Sequence, residues 1–452
     1  MKSDSSQQLI YEKESPLRLL IRLSVPSVVS SLIMTVYNMA DVFFIGQLQD
    51  PLQVAAVSLC GPLFTLLSGI GVLFGNGGCL RAATLLGQGK RQEVRSITAF
   101  CCWGGLTVAI LGMAGILVFQ DGVLNALGAS EQTAPFARAY MRLMAVGFGP
   151  MLFCQAMGSV LRADGEVKLP MYGHVLGSVM NIVLDPIFIL WFGWGVQGAA
   201  AATVLANLMN GAFLLWVFYR KRQVFSLSPK ALQLRWDTTG GALLLGFPMM
   251  LNTLLNGFSG MLTNRFLRSY GDIYLAANGV SSKLRMVVSM LIIGICMGIQ
   301  PAIAYYHGAN RRDRLKNLLR VTALVTTSLG LGLSILIFLF RDQMIAFFIQ
   351  DEAVVTYGRI MILGSMAGGP LQGATQLSAA YLQGTGSVTT ASIYALLRQV
   401  LHVALLVGMH ALLGLWGVAF SGSATTLCCA ALGIGLCRWW KGQLDRRANQ
   451  LT

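Results

Sequence analysis

Charged residues are scarce in this sequence. Asp, Glu, Lys and Arg make up 11% of its 452 residues, whereas 55% are hydrophobic. A soluble domain carries about a quarter charged residues, and a chain of this length has a large surface to cover with polar groups. The shortage of charge excludes an ordinary soluble globular protein and indicates that lipid covers much of the surface.

Metal-binding and disulfide patterns are also missing. The chain has four histidines and nine cysteines, with no C-x-x-C motif and no Cys/His cluster. The adjacent pairs Cys101-Cys102 and Cys428-Cys429 lie in apolar runs, where cysteine is usually a packing residue. These absences exclude a zinc module and a disulfide framework, and we expect no cofactor.

Catalytic and nucleotide-binding motifs are absent too. There is no H-E-x-x-H, and no G-x-S-x-G with a plausible triad. The stretch from Gly87 to Lys90 superficially resembles a phosphate loop, but the G-x-x-x-x-G-K-[ST] spacing fails because residue 84 is Thr and residue 91 is Arg. The sequence therefore argues against an intramembrane enzyme and against an ATP-driven pump.

Long apolar runs dominate what is present. A helix that crosses a bilayer needs about 20 mostly apolar residues, and the chain has twelve such runs. The sequence therefore predicts an all-α, polytopic membrane protein with twelve transmembrane helices. The predicted spans are 18–46, 53–80, 97–119, 134–157, 170–192, 198–219, 239–267, 273–304, 318–340, 354–382, 388–410 and 417–437.

The net charge of +15 follows the positive-inside rule rather than nucleic-acid binding, because the basic residues cluster in short loops between apolar runs. These loops follow spans two, four, six and eight, and the tail after span twelve is basic as well. The sequence thus predicts that even-numbered spans end in the cytoplasm and that both termini are cytoplasmic. Residues 1–16 do not resemble a cleaved signal peptide.

The chain repeats itself. Pro26 in span one and Pro248 in span seven are separated by an offset of 222 (248 − 26), and two loop motifs recur at an offset of 221, at Gly87 with Gly308 and at Gly165 with Gly386. Six spans per repeat give both halves the same orientation, which is the parallel-repeat architecture of secondary transporters. We predict a first six-helix lobe at 1–219, a cytoplasmic linker at 220–238 and a second lobe at 239–452.

Two acidic residues fall well inside apolar runs, Asp41 in span one and Asp185 in span five. An ionised carboxylate at membrane depth is costly, so it normally faces a cavity, pairs with another group or binds an ion. Tyr140 and Thr203 lie at a similar depth in spans four and six. We therefore expect these four side chains to converge on one pocket.

Helix periodicity adds two partners. Tyr37 lies four residues before Asp41, and Asn181 lies four residues before Asp185, so each pair shares a helix face. Carboxylate, amide and hydroxyl oxygens suit Na⁺ coordination or proton storage, and do not suit a soft metal. The sequence predicts an ion-coupling site for H⁺ or Na⁺, with Na⁺ held by Asp41, Asn181, Asp185 and Thr203.

The second half has polar residues inside its spans but no acid. Asn256, Gln300 and Arg398 are candidates to line a substrate cavity, and His402 shares a helix face with Arg398. Such residues also satisfy backbone groups at helix bends. The sequence alone does not choose between the two roles.

Eight short motifs stand out along the chain. They are Pro26, 37–41 (YNMAD), 87–89 (GQG), 161–165 (LRADG), 181–186 (NIVLDP), 198–203 (GAAAAT), 277–279 (ANG) and 300–301 (QP). In these motifs the sequence resembles the MATE family, the multidrug and toxic compound extrusion transporters. The resemblance covers residues 16–440, and no single motif would be specific without the others.

The resemblance implies two six-helix lobes around a cavity, antiport of cationic amphipathic compounds against H⁺ or Na⁺, and a monomer. We expect the protein to lie in the plasma or inner membrane. It implicates the six first-half residues in binding the coupling ion, and it associates the bend at Pro26 with a conformational change. Another branch of the family carries acids in spans seven and ten, which this sequence lacks. The main alternative is a lipid-linked saccharide flippase of a related superfamily, although those often have two further spans.

Overall fold

The computed structural model describes residues 11–12, 14–48, 50–221, 224–233, 239–268, 270, 272–348 and 352–449. Most of these residues are helical, and there is no β-strand among them. Part of the expected linker, 222–223 and 234–238, lies outside the described residues. The helices are α1 Pro16–Gly46, α2 Pro51–Gly87, α3 Arg91–Val118, α4 Gln120–Leu127, α5 Ala134–Arg162, α6 Lys168–Asp185, α7 Val196–Arg220, α8 Gly241–Arg268, α9 Asp272–Gly308, α10 Arg312–Leu339, α11 Arg341–Phe348, α12 Glu352–Met366, α13 Gly369–Gly384, α14 Val388–Leu413 and α15 Leu415–Asn449.

The predicted polytopic helical fold is confirmed. Ten helical segments of the described chain are long and apolar enough to cross a membrane, and α8 adds a shorter apolar stretch, Gly241–Asn256. The predicted span 354–382 is not one helix but two, α12 and α13. Its break has a local cause, because Gly368 caps α13 and a proline follows in the first turn, where no N–H is available to continue the ladder of α12.

The described helices form two compact units, one within residues 29–250 and the other within residues 11–28 and 251–449. In the first unit α5 is central and packs against α2, α3 and α7. Glycine allows this close approach: a Cβ on Gly75 would lie 2.8 Å from the carbonyl oxygen of Gln155, and one on Gly147 would lie 2.5 Å from Val204. In the second unit α9 packs against α10, α12 and α13, and α14 packs against α15.

The division between the units crosses two helices close to their prolines. In α1 it falls after Val28, two residues beyond Pro26, and in α8 it falls after Met250, two residues beyond Pro248. The first part of α1 packs within the second unit, where Ser24 Oγ donates to the carbonyl oxygen of Ile295 at 3.2 Å. Both helices remain α-helical across their prolines.

The internal repeat is visible in the helix bounds. Helix α3 recurs as α10, and α4 recurs as α11. The first residues of each pair are 221 positions apart (312 − 91 and 341 − 120), and so are the last residues. Helix α2 recurs as α9 at the same offset (272 − 51). One ion pair repeats as well. Arg138 Nη2 lies 2.6 Å from Asp121 Oδ1, and at the equivalent positions of the second half Arg359 Nε lies 2.7 Å from Asp342 Oδ1.

Backbone conformation repeats at the same offset. Gly165 and Gly386 have φ of 77° and 80°, and Gly89 corresponds to Asn310, with φ of 74° and 55°. Asn is among the few non-glycine residues that adopt the left-handed region readily. Equivalent turns in both halves confirm that one structural unit was used twice.

Candidate functional site

Six polar side chains of the first unit form the first-half site, on helices α1, α5, α6 and α7: Tyr37, Asp41, Tyr140, Asn181, Asp185 and Thr203. Asp185 is the last residue of α6, and the chain continues as a π-helical segment, Pro186–Trp191. Pro186 lacks the N–H that would continue the α-helical ladder, and π-helical turns are frequent at functional sites. The change of helix type sets the position of the Asp185 carboxylate, which is fully buried.

Asn181 fixes the orientation of Asp185, and Thr203 fixes that of Asn181. The orientation of the Asn181 amide that satisfies both of its polar atoms lets Nδ2 donate to Asp185 Oδ2 at 3.0 Å. In that orientation the amide oxygen accepts from the backbone N–H of Thr203 at 3.3 Å. Asn181 is also fully buried. The carboxylate is therefore held by an amide of its own helix, α6, and that amide is fixed in turn by the backbone of α7.

Asp41 approaches this network from α1. It interacts electrostatically with Asp185, Tyr37 and Tyr140, and the Tyr37 phenol lies near the side chain of Thr203. The Tyr140 ring packs edge-on against Phe64, with centroids 5.6 Å apart. The side chains that the sequence placed at one depth are therefore brought together.

One oxygen of this site has no partner. Asp41 Oδ1 is buried and makes no hydrogen bond among the described residues. A buried carboxylate oxygen needs a proton donor or a cation, because its desolvation is otherwise uncompensated. The unpaired oxygen could be satisfied by a proton on Asp41 or by a bound Na⁺. The second choice is chemically suitable because the neighbouring side chains offer oxygen ligands, which hard cations prefer.

A polar cavity of about 800 Å³ lies within the second unit, and we call it the second-half cavity. Asn256 and Arg398, two of the three candidates from the sequence, line it, as does His402. Gln300 does not line it; this side chain is buried and donates to Gln383 Oε1 at 2.6 Å.

Arg285 is a lining residue that the sequence reasoning missed. Its signal was present, because it is a charged residue inside the predicted span 273–304. Basic residues also occur inside other predicted spans, such as Arg138 and Arg142 in 134–157, so a positive charge in a run does not by itself indicate a site. Arg398 donates through Nη2 to Asn252 Oδ1, and to Asn256 Oδ1 at 3.4 Å.

Solved structures share this fold. A structure described as the outward-facing conformation of a multidrug resistance MATE family transporter of the MOP superfamily matches with a TM-score of 0.92 and 22% identity, over 98% of this chain and 99% of that one. A Vibrio cholerae MATE transporter, VcmN in the bent form, matches with a TM-score of 0.87 and 21% identity, over 96% and 97% of the two chains. At these identities the likeness shows the fold alone.

Sequence comparison identifies the family. The multidrug export protein MepA of Staphylococcus saprophyticus is 30% identical over 427 residues, which are 94% of each chain, and MepA of Staphylococcus aureus N315 is 29% identical over 416 residues, 92% of each. The MatE family model matches residues 26–187 and again 248–407, so that its two copies begin at the two helix prolines. The chain therefore belongs to the MatE family of membrane transporters, as its motifs indicated.

Proposed function

We propose that this protein exports cationic, amphipathic small molecules from the cell, as a multidrug exporter driven by H⁺ or Na⁺ entering through the first-half site. Family membership and relatives named multidrug export proteins support export. The observation that carries ion coupling is the carboxylate pair, in which Asp41 keeps an unpaired buried oxygen beside the fully buried Asp185. The protein works in the plasma or inner membrane with both termini in the cytoplasm, and a monomer suffices.

Asp41 and Asp185 carry the coupling ion in this proposal. Asn181 orients Asp185 and is itself fixed by Thr203. Both Asn181 and Thr203 supply further oxygens if the ion is Na⁺, while Tyr37 and Tyr140 close the site. When bound, Na⁺ or H⁺ would supply the positive charge that balances the two carboxylates. The chain's own residues provide the oxygens and exclude water.

Coupling requires that ion and substrate prefer different conformations. A ligand shifts a conformational equilibrium only by as much as it binds the two states unequally. Occupation of Asp41 biases α1, and Pro26 is the position at which α1 adjusts, because its missing N–H weakens the helix ladder there. The ion-loaded conformation then releases substrate outward.

The test is efflux of ethidium from cells that express the protein. We expect wild type to export, and Asp41→Asn and Asp185→Asn each to reduce the rate at least about tenfold at equal expression, since Asn cannot hold the charge that binds the ion. Asp121→Asn, a change at an exposed carboxylate paired with Arg138, is the matched control and should export normally. Loss of export when Na⁺ is omitted would identify Na⁺ as the coupling ion, and loss of export with a protonophore would identify H⁺.

Two outcomes contradict parts of the proposal separately. Export by wild type and by both Asn variants at equal rates would remove the first-half site from coupling while leaving the exporter function intact. No export of ethidium or of other organic cations by wild type would reject the exporter, and a lipid-linked saccharide would become the substrate to test.

A further inference from the structure

The second-half cavity is the repeat counterpart of the first-half site. Between α1 and α8 the offset is 222, as their prolines show. For α2, α5 and α6 the offset is 221. The helix bounds of α2 and α9 show it for α2, and the repeated ion pair and the paired glycines show it for α5 and for the turn before α6. At these offsets four residues of the first-half site correspond to residues that line the second-half cavity. The pairs are Tyr37 with Ser259, Asp41 with Thr263, Tyr140 with Met361, and Asn181 with His402.

The charge at the two sites is opposite in sign. The carboxylates are lost in the second half, because Asp41 corresponds to Thr263 and Asp185 to Leu406. Positive charges are gained there instead: Arg285 stands where α2 has Phe64, and Arg398 stands where α6 has Gly177. Both arginines line the cavity, whose lining contains no Asp or Glu among the described residues.

The two guanidinium groups have no acidic partner in the described part of the chain. Arg398 donates to the neutral amides of Asn252 and Asn256, and Arg285 has neither a hydrogen bond nor an ion pair there. His402 lies within electrostatic range of both. A charge at membrane depth normally pairs with a counter-ion. Since none of the described residues supplies one to Arg285 or Arg398, an anionic ligand is the partner that these two side chains would accept.

The volume and the lining of the cavity indicate which class of anion it would bind. Its volume of about 800 Å³ is that of a small-molecule site and far above the roughly 30 Å³ of a single water or a small ion. Apolar side chains, Ile293, Met286 and Met361, contribute to the wall beside the arginines. A guanidinium presents a planar fork of donors that matches a carboxylate or phosphate group in two-point contact.

We propose that the second-half cavity binds an organic oxyanion, a small molecule that carries a carboxylate or a phosphate, between Arg285 and Arg398. The hydroxyl and amide groups around them, including Asn256 and Gln372, supply further hydrogen bonds to the ligand. This site is separate from the carboxylate pair and does not depend on cation export. The protein would thus hold a cation site in one half and an anion site in the other.

The experiment measures binding to purified full-length protein in nanodiscs of phosphatidylcholine by equilibrium dialysis, with empty nanodiscs as the blank. The probes are dansylglycine, which carries a carboxylate, and dansylglycinamide, its neutral counterpart. We expect dansylglycine to bind at least tenfold tighter. Arg285→Gln and Arg398→Gln should each weaken it at least fivefold, and Arg398→Lys should weaken it less because the charge is kept.

Lys283→Gln is the matched control, because Lys283 lies two residues before Arg285 on α9 and does not line the cavity. It should bind dansylglycine like wild type. Gel filtration of every variant confirms that it is folded, and Arg398→Lys provides the comparison if Arg398→Gln does not fold. Equal affinity for the two probes, or wild-type binding by both Gln variants, would overturn the proposal, whatever the ethidium assay shows.

A second arm distinguishes the sources of the anion. Nanodiscs in which phosphatidylglycerol replaces part of the phosphatidylcholine test whether a lipid headgroup competes with dansylglycine. Displacement would identify an anionic lipid headgroup as the natural ligand, because phosphatidylcholine carries a phosphate but no net charge, and unchanged binding would identify a free solute. Both results uphold the oxyanion site.

Discussion

At the scale of single residues, a carboxylate in the first unit depends on a neighbouring amide. Asp185 Oδ2 accepts from Asn181 at 3.0 Å, and neither side chain is exposed. Removing the donor leaves a buried acceptor with its desolvation uncompensated. Asn181 is therefore a positioning residue, and its removal should lower the free energy of unfolding.

We predict that Asn181→Ala lowers the free energy of unfolding by about 1–3 kcal/mol. Thermal unfolding in detergent, followed by tryptophan fluorescence, measures the effect. Asn38→Ala, a change at an exposed amide of α1, is the control and should unfold at the wild-type temperature. In the background of Asp185→Asn the loss should shrink, because the two residues are coupled. Equal unfolding temperatures for the two alanine variants would refute the role.

A third carboxylate, Asp164, lies outside the membrane spans in the loop after α5. It is 6% exposed, and Lys221 Nζ lies 3.4 Å from its Oδ2 and 2.8 Å from Glu166 Oε1. Burial raises the pKa of Asp164 to about 6, against the opposing effect of the Lys221 ammonium. The folded protein therefore binds the Asp164 proton more tightly than the unfolded chain does.

A pH dependence follows with a definite sign. Since the folded-state pKa is raised, the stabilisation by the protonated group is fully present below about pH 4 and is lost as the pH rises through about 6. Across this window wild type should lose about 2–3 kcal/mol relative to Asp164→Asn, which stays neutral. Unfolding temperatures of both proteins at pH 4 to 7 check this, with Asp121→Asn as the control. A constant difference between wild type and Asp164→Asn would contradict it.

Sequence reasoning found some site residues and missed others for identifiable reasons. Asp41 and Asp185 were predictable because an acid in an apolar run is exceptional. Arg285 was harder to recognise, because Lys283 lies in the same run and basic residues such as Arg142 occur inside other runs. The break in the predicted span 354–382 was missed because hydropathy does not register a Gly-Gly-Pro sequence inside an apolar stretch.

At the scale of helices, close packing rests on particular glycines. Helix α10 meets α13 at Gly330, where an added Cβ would lie 2.4 Å from the carbonyl oxygen of Gly369. Gly332, two residues later on the same helix, has nothing within 4 Å of its Cβ position. Substitutions at Gly330 and Gly332 therefore distinguish the effect of helix packing from the effect of helix propensity.

We predict that Gly330→Ala destabilises the protein by about 1–3 kcal/mol, because backbone atoms must move apart. Gly332→Ala should be neutral or stabilising by up to about 1 kcal/mol, because Ala favours the helix. Unfolding temperatures of the two purified variants measure the difference. Equal destabilisation by both changes would mean that the contact between α10 and α13 does not require Gly330.

At the scale of the whole molecule, two repeated halves differ in the charged residues that they place inside their helices. Helices α1 and α8 are each divided between the two units next to a proline, but only α1 carries an acid near its far end, Asp41. If ion binding acts through α1, its proline should matter more for transport than that of α8.

We therefore predict that Pro26→Ala lowers the ethidium efflux rate at least fivefold at equal expression, because a restored N–H stiffens α1 and resists its adjustment. Pro248→Ala is the repeat-matched control and should lower it less. Time courses of efflux from the two strains give the comparison. Wild-type efflux by Pro26→Ala, or an equal loss in both variants, would argue against a special role for α1.

The sequence by itself determined that the chain is a helical membrane protein made of two repeats, with two carboxylates placed at membrane depth. These features depend on composition, apolar run length and spacing along the chain, and all three are local. Only the tertiary structure decided which side chains share a site. Thr203 lies near Tyr37, and Arg285 lines one cavity with Arg398 and His402, although the helices that carry them are far apart in sequence. This placement depends on how the helices pack and turn about their axes, which the hydropathy of each helix does not specify.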